Sequence, residues 1–129
     1  MRAIDTNVLV RFIAGDDEQQ AASVDRLFET EDQPLFVGHI VLVELAWVLR
    51  TIYRMDRATL HHALSHILAS PAFLVERDWL VHEALTQYRT GPADFADYLI
   101  GASAQYAGCK ETLTFDQALA RASNFKLLP

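Results

Sequence analysis

A single cysteine, Cys109, leaves the chain unable to form an internal disulfide, and such usage fits a reducing compartment. Cys109 follows Gly108 in an expected turn and has no histidine companion, so it is read as inert. Basic side chains are also scarce: 11 Lys and Arg face 17 Asp and Glu, a formal charge of −6. A general nucleic-acid binder would present a basic face instead. Two divalent cations held by acidic groups would bring that charge to −2, so the deficit weakens a metal-dependent nuclease reading without excluding it. Long hydrophobic runs are missing too. No window reaches the roughly 18 apolar residues of a membrane span, because Gly38, His39 and Glu44 interrupt the stretch from Phe36 to Leu49. Asp5 falls where a leader peptide would need its apolar run, so a cytoplasmic protein is expected. Glycine-rich phosphate loops are absent. Ser103 and the other serines have no identifiable His/Asp companions.

What is present is an alternation of short apolar runs and amphipathic stretches within 129 residues, the length of one domain. Ala3-Ile4, Leu35-Phe36-Val37, Phe73-Leu74-Val75 and Thr112-Leu113-Thr114-Phe115 read as strands, and Phe125 to Leu128 is a terminal apolar run. Helices are expected after Asp5, after Asp17, from Ile40 to about Tyr53, after Asp56, after Asp78 as cap, and from about Asp94 to Ala107. A short helix should follow Asp116. Strands alternating with helices imply parallel pairing. The expected fold is a three-layer α/β/α sandwich with a central, mostly parallel sheet, one domain over residues 1–129.

Four carboxylates sit where carboxylates are unexpected. Glu44 is the only non-apolar residue between Ile40 and Leu49. A helix apolar all round is buried, and an unpaired buried carboxylate costs several kcal/mol. An ion pair with an arginine such as Arg50 is the competing account. Asp5 and Asp116 each end a short strand and precede a helical stretch. Functional groups gather beyond the carboxyl ends of parallel strands, although either residue alone could simply cap the next helix. Asp97 shares a face with Ile100, Gly101 and Ala104, and the small residues of that helix allow close approach to the sheet. Asp94, one turn earlier, reads as cap or supporting group. If the four acids meet in one crevice, their mutual repulsion demands a cation. A ligand set of oxygens alone suits Mg²⁺ or Mn²⁺ rather than zinc.

Other signals are weaker. His62 and His66 have i, i+4 spacing but lack the adjoining glutamate of a zinc motif. Trp47 and Trp79 lie in apolar helical contexts and are expected in the core.

The segment Ile4-Asp5-Thr6-Asn7-Val8-Leu9-Val10, with Val43-Glu44-Leu45, Asp97-Tyr98-Leu99-Ile100-Gly101-Ala102 and Leu113-Thr114-Phe115-Asp116, resembles the ordered acidic elements of PIN domains. Within that group the chain is similar to the VapC-type toxins of prokaryotic toxin–antitoxin pairs. The resemblance implies a Mg²⁺- or Mn²⁺-dependent endoribonuclease, usually a homodimer, acting on RNA and silenced by a small cognate antitoxin. It carries over Asp5, Glu44, Asp97 and Asp116 as catalytic metal ligands, and Thr6, Asn7 and Thr114 as supporting groups. One departure stands out. Many relatives have a basic residue before the fourth acid, where this chain has Phe115. Positive charge for phosphate would then come from elsewhere, such as Arg11 or Arg121. Two alternatives remain open at this point: a PIN-like module that binds a protein partner with little turnover, and a nuclease acting on DNA.

Overall fold

Aspartates set three of the helix starts in the first half of the chain. In the computed structural model, which describes residues 1–122 and 124–129, the Asp5 side chain caps α1 (Thr6–Ala14). Asp17 caps α2 (Glu18–Thr30), accepting from the Gln20 N–H at 3.0 Å. Asp56 caps α4 (Arg57–Ala69) through the Thr59 N–H at 2.8 Å. Each bond satisfies one of the donors that a helix N-terminus leaves unpaired. At the other end of α1, Gly15 takes the left-handed conformation at φ 62° that a closing residue needs.

Residues 1–76 form one compact unit. Strands β1 (Leu35–Val37) and β2 (Phe73–Val75) pair in parallel, with Phe36 opposite Leu74. Ala3 adds a parallel bridge to Phe36, supported by Ile4 N–H to Phe36 O at 3.1 Å and Phe36 N–H to Arg2 O at 2.8 Å. The spatial order is therefore Ala3, β1, β2. Helix α3 (His39–Thr51) packs against α1 and α4. Its buried stripe is Leu42, Leu45, Ala46 and Leu49, and each fully buried leucine stabilises the fold by about 1.5–3 kcal/mol. Phe12, Phe28 and Phe73 form an edge-to-face cluster with centroids 5.2–5.6 Å apart. His66 stacks on Phe12 at 5.9 Å, so its place on α4 has a packing explanation.

Residues 77–129 form the second unit. Helices α5 (Asp78–Thr90) and α6 (Phe95–Tyr106) pack together. Strands β3 (Thr112–Thr114) and β4 (Phe125–Leu127) pair in parallel, flanking a 3-10 turn at Leu119–Arg121. At Gly101 α6 passes close to β4: an added Cβ would lie 2.5 Å from the Asn124 side chain and 2.6 Å from the Phe125 ring. The expected small-residue approach of this helix is thus realised at one position.

The class is α/β with parallel strands, as the alternation of runs predicts. Three expectations need correction. Helix α3 is amphipathic rather than apolar all round: Ile40 is 85% exposed and Trp47 54% exposed, on the same face as exposed Glu44. Trp79, expected in the core as Trp47 was, is 53% exposed. Asp78 does not cap α5. It is the first helical residue, and the cap position belongs to Arg77 at φ 38° with no side-chain cap bond.

Candidate active site

In the first unit, strand register aligns three residues at the carboxyl ends. Ala3, Phe36 and Leu74 share a row. Two residues further on come Asp5, Gly38 and Glu76. Asp5 is exposed, and its Oδ1 accepts from the Thr6 N–H at 2.7 Å, which leaves Oδ2 outside this cap bond. The Thr6 hydroxyl beside it is buried and has no hydrogen-bond partner among the described residues. A buried hydroxyl without a partner is costly, so this position would gain from a water or ligand oxygen.

Glu76 is the acid that sequence reasoning missed. Its Oε1 accepts from the His39 N–H at 2.8 Å, capping α3 from the end of β2. The His39 ring closes the same link: Nε2 lies 2.5 Å from the Glu76 carbonyl oxygen. A carbonyl can only accept, so Nε2 carries the proton. The signal was available, because Glu76 follows an apolar triplet just as Asp5 and Asp116 follow theirs.

Glu44 lies midway along α3 and is exposed. No hydrogen bond or ion pair engages it among the described residues, so the ion pair with Arg50 is not formed. The helix that carries Glu44 packs on the helix that Asp5 caps.

In the second unit, Asp94 takes the N-cap of α6, and Asp97 is its third helical residue. Asp97 Oδ2 accepts from the Asp94 N–H at 3.1 Å, one half of a capping box. Asp97 is half-buried. Asp116 leaves β3 and is exposed; its Oδ1 accepts from the N–H groups of Ala118 at 2.9 Å and Leu119 at 3.2 Å. The Thr114 hydroxyl fixes this turn by accepting the Asp116 N–H at 3.0 Å.

Each unit therefore contributes two of the expected acids, all placed at or beside helix starts except Glu44. Among the described residues, no three His, Cys, Asp or Glu side chains are grouped so as to hold a metal ion. Within each unit the two carboxylates are oxygen donors of the kind a hard cation takes, and in the first unit the Thr6 hydroxyl has no partner among the described residues. Arg11 is not a free phosphate contact. Its guanidinium pairs with Asp16 and Gln20 and donates to the Tyr53 hydroxyl at 3.3 Å. Arg121 is exposed on the turn that follows Asp116.

The PIN domain family model matches residues 3–124, nearly the whole chain and a span in which the four acids lie. A VapC ribonuclease of Aquifex aeolicus (strain VF5) is 30% identical over 118 residues, covering 89% of this chain and 87% of that protein. The chain belongs to the PIN-domain family and is of the VapC type.

Proposed function

We propose that this chain is a divalent-metal-dependent endoribonuclease toxin, with residues 1–129 acting as one catalytic domain. The observation that carries the reading is the relative that is named a ribonuclease and aligns over 89% of the chain. Asp5, Glu44, Asp97 and Asp116 are the proposed catalytic metal ligands, and Mg²⁺ or Mn²⁺ the cofactor. When bound, such a cation would polarise the scissile phosphate and favour ionisation of the attacking water. The chain's own residues supply orientation. Asp5 and Asp116 each spend one oxygen on backbone N–H groups, which fixes the direction of the other. Thr114 holds the Asp116 backbone. Among the described residues no side-chain nucleophile accompanies the carboxylates, so water attacks phosphorus in line and the 3′ oxygen leaves. The products are a 5′-phosphate and a 3′-hydroxyl.

A small antitoxin is the proposed inhibitor, placing a basic side chain among the carboxylates. A homodimer is the proposed assembly, for which the exposed Ile40 and Trp47 of α3 offer apolar surface. The cytoplasm is the proposed compartment.

The deciding experiment incubates purified protein with single-stranded RNA and maps the cut ends. Cleavage should stop in EDTA and return with Mg²⁺ or Mn²⁺. Activity that survives thorough chelation would overturn the metal-dependent reading, and cleavage of DNA in place of RNA would redirect the substrate.

A further inference from the structure

Three residues of the second unit assemble an exposed aromatic and cationic surface. The Tyr106 ring, at the end of α6, meets the Trp79 indole edge-on, with centroids 5.9 Å apart. The Arg77 guanidinium carbon lies 5.4 Å from the centroid of the same ring. Trp79 and Tyr106 are 53% and 58% exposed, unusual for two large aromatic side chains already in contact. Arg77 holds φ at 38°, a left-handed conformation that a residue with a Cβ adopts only when its surroundings enforce it. It occupies the cap position of α5 yet makes no side-chain cap bond.

We infer that Arg77, Trp79 and Tyr106 form a stacking platform for an unpaired base of single-stranded RNA, with Arg77 facing the adjoining phosphate. The inference rests on the ribonuclease reading for its biological role, not for its chemistry. Two π surfaces in contact receive a flat base by stacking, which duplex RNA cannot offer because its bases are already stacked. A guanidinium over one ring adds a cation for the phosphate linker. This solution suits an acidic chain. With a net charge of −6 the protein cannot hold a polyanion by a diffuse basic field, whereas stacking needs no net charge. A second copy of the chain fits less well. The exposed Asp78, His82 and Glu83 flank Trp79 on α5, and an apolar interface would strip water from all three.

The test reads binding in EDTA, so that it does not depend on cleavage. The chain has two tryptophans, so Trp47→Phe leaves Trp79 as the sole indole fluorophore. A 12-nucleotide oligoadenylate should quench that fluorescence, and the matching RNA duplex should not. By anisotropy of labelled oligoadenylate, Trp79→Ala and Tyr106→Ala should each bind about tenfold more weakly than the parent. Trp79→Phe, which keeps a ring, should recover most of the loss. Circular dichroism verifies that each variant is folded. With metal present, Trp79→Ala should raise KM and leave kcat nearly unchanged. Unquenched Trp79 and equal affinities would overturn the platform. So would a Trp79→Ala protein that falls from dimer to monomer by light scattering while its RNA affinity is unaltered. Bound and quenching RNA that is never cut in Mg²⁺ or Mn²⁺ would sink the ribonuclease reading and leave the platform standing.

Discussion

The Tyr53 hydroxyl donates to Asp16 Oδ2 at 2.9 Å, tying the turn that follows α1 to the segment that follows α3. Arg11 reaches the same pair from α1, so one clamp joins three pieces of the first unit. The hydrogen bond from Tyr53 is the main influence holding the Asp16 carboxyl below its ordinary range, with Arg11 adding to it against the opposing effect of desolvation. The Arg11 guanidinium is correspondingly held more firmly protonated: burial opposes this, and Tyr53 and Asp16 outweigh it.

A depressed carboxyl contributes stability that is present above its unfolded pKa and fades as pH falls through the folded value. Asp16 and Asp56, the latter lowered chiefly by its bond from the Thr59 side chain, should therefore both lose their contribution below about pH 4. Arg11 stays charged throughout and adds no slope. Tyr53→Phe should lower the Tm at pH 7 and flatten its fall between pH 5 and 3, each pH value being about where ordinary carboxylates titrate. Thermal melts across that range check it. A Tyr53→Phe protein with the parent's acid profile would show that the clamp does not set it.

Asp97 and Asp94 share a capping box, yet they should differ in function. Asp97→Asn keeps an oxygen able to accept the Asp94 N–H, so the fold should survive. The charge is lost, and RNA cleavage should drop by at least about a hundredfold, as expected when a metal ligand or its partner is removed. Asp94→Asn should preserve the N-cap, for which Asn and Asp are nearly equivalent, and cost far less activity. Comparing the two rates at matched circular dichroism decides the assignment. Reversed effects would make Asp94 the ligand.

Much of this architecture was legible because local chemistry and tertiary context agree. Asp17 and Asp56 begin helices in the sequence and in the structure. The triplets Leu35–Val37 and Phe73–Val75 are strands with no residue to spare. Failures came where periodicity could not say which apolar face turns inward. Along α3, Leu42, Leu45 and Leu49 are buried, whereas Ile40 and Trp47 are exposed, and all five are apolar. Glu44 therefore read as a buried charge when its neighbours form an exposed stripe. Glu76 was not legible as a site acid because Asp78, two residues on, has the residue type of a helix cap. Only the pairing register, which sets Ala3, Phe36 and Leu74 side by side, places Glu76 in the same row as Asp5.

That row makes Glu76 a positioning residue for α3, the helix carrying Glu44. Glu76→Ala should remove the acceptor for the His39 N–H and cost about 0.5–2 kcal/mol, the range of a lost N-cap. Glu76→Gln keeps an amide oxygen there and should retain most of the stability. If RNA cleavage follows the same order, Glu76 acts by holding α3. Loss of cleavage in Glu76→Gln at full stability would instead make its charge part of the site.

Asn124 poses the opposite problem, a polar side chain that the fold leaves unsatisfied. It is 2% exposed, and neither its amide oxygen nor its amide nitrogen has a partner among the described residues. Two unpaired buried groups cost free energy, and replacing them with an apolar side chain of similar shape relieves that cost. Asn124→Leu should therefore be neutral or stabilising, although most substitutions at so buried a position destabilise. Gly101 controls for packing at the same spot. A methyl there would press on the Asn124 amide and the Phe125 ring, so Gly101→Ala should cost about 1–3 kcal/mol. Urea unfolding of the two single variants separates the effects, because overpacking and polar burial predict opposite signs. A strongly destabilised Asn124→Leu would mean that the amide is satisfied in solution, by a bound water or another group, and that its polarity supports the fold.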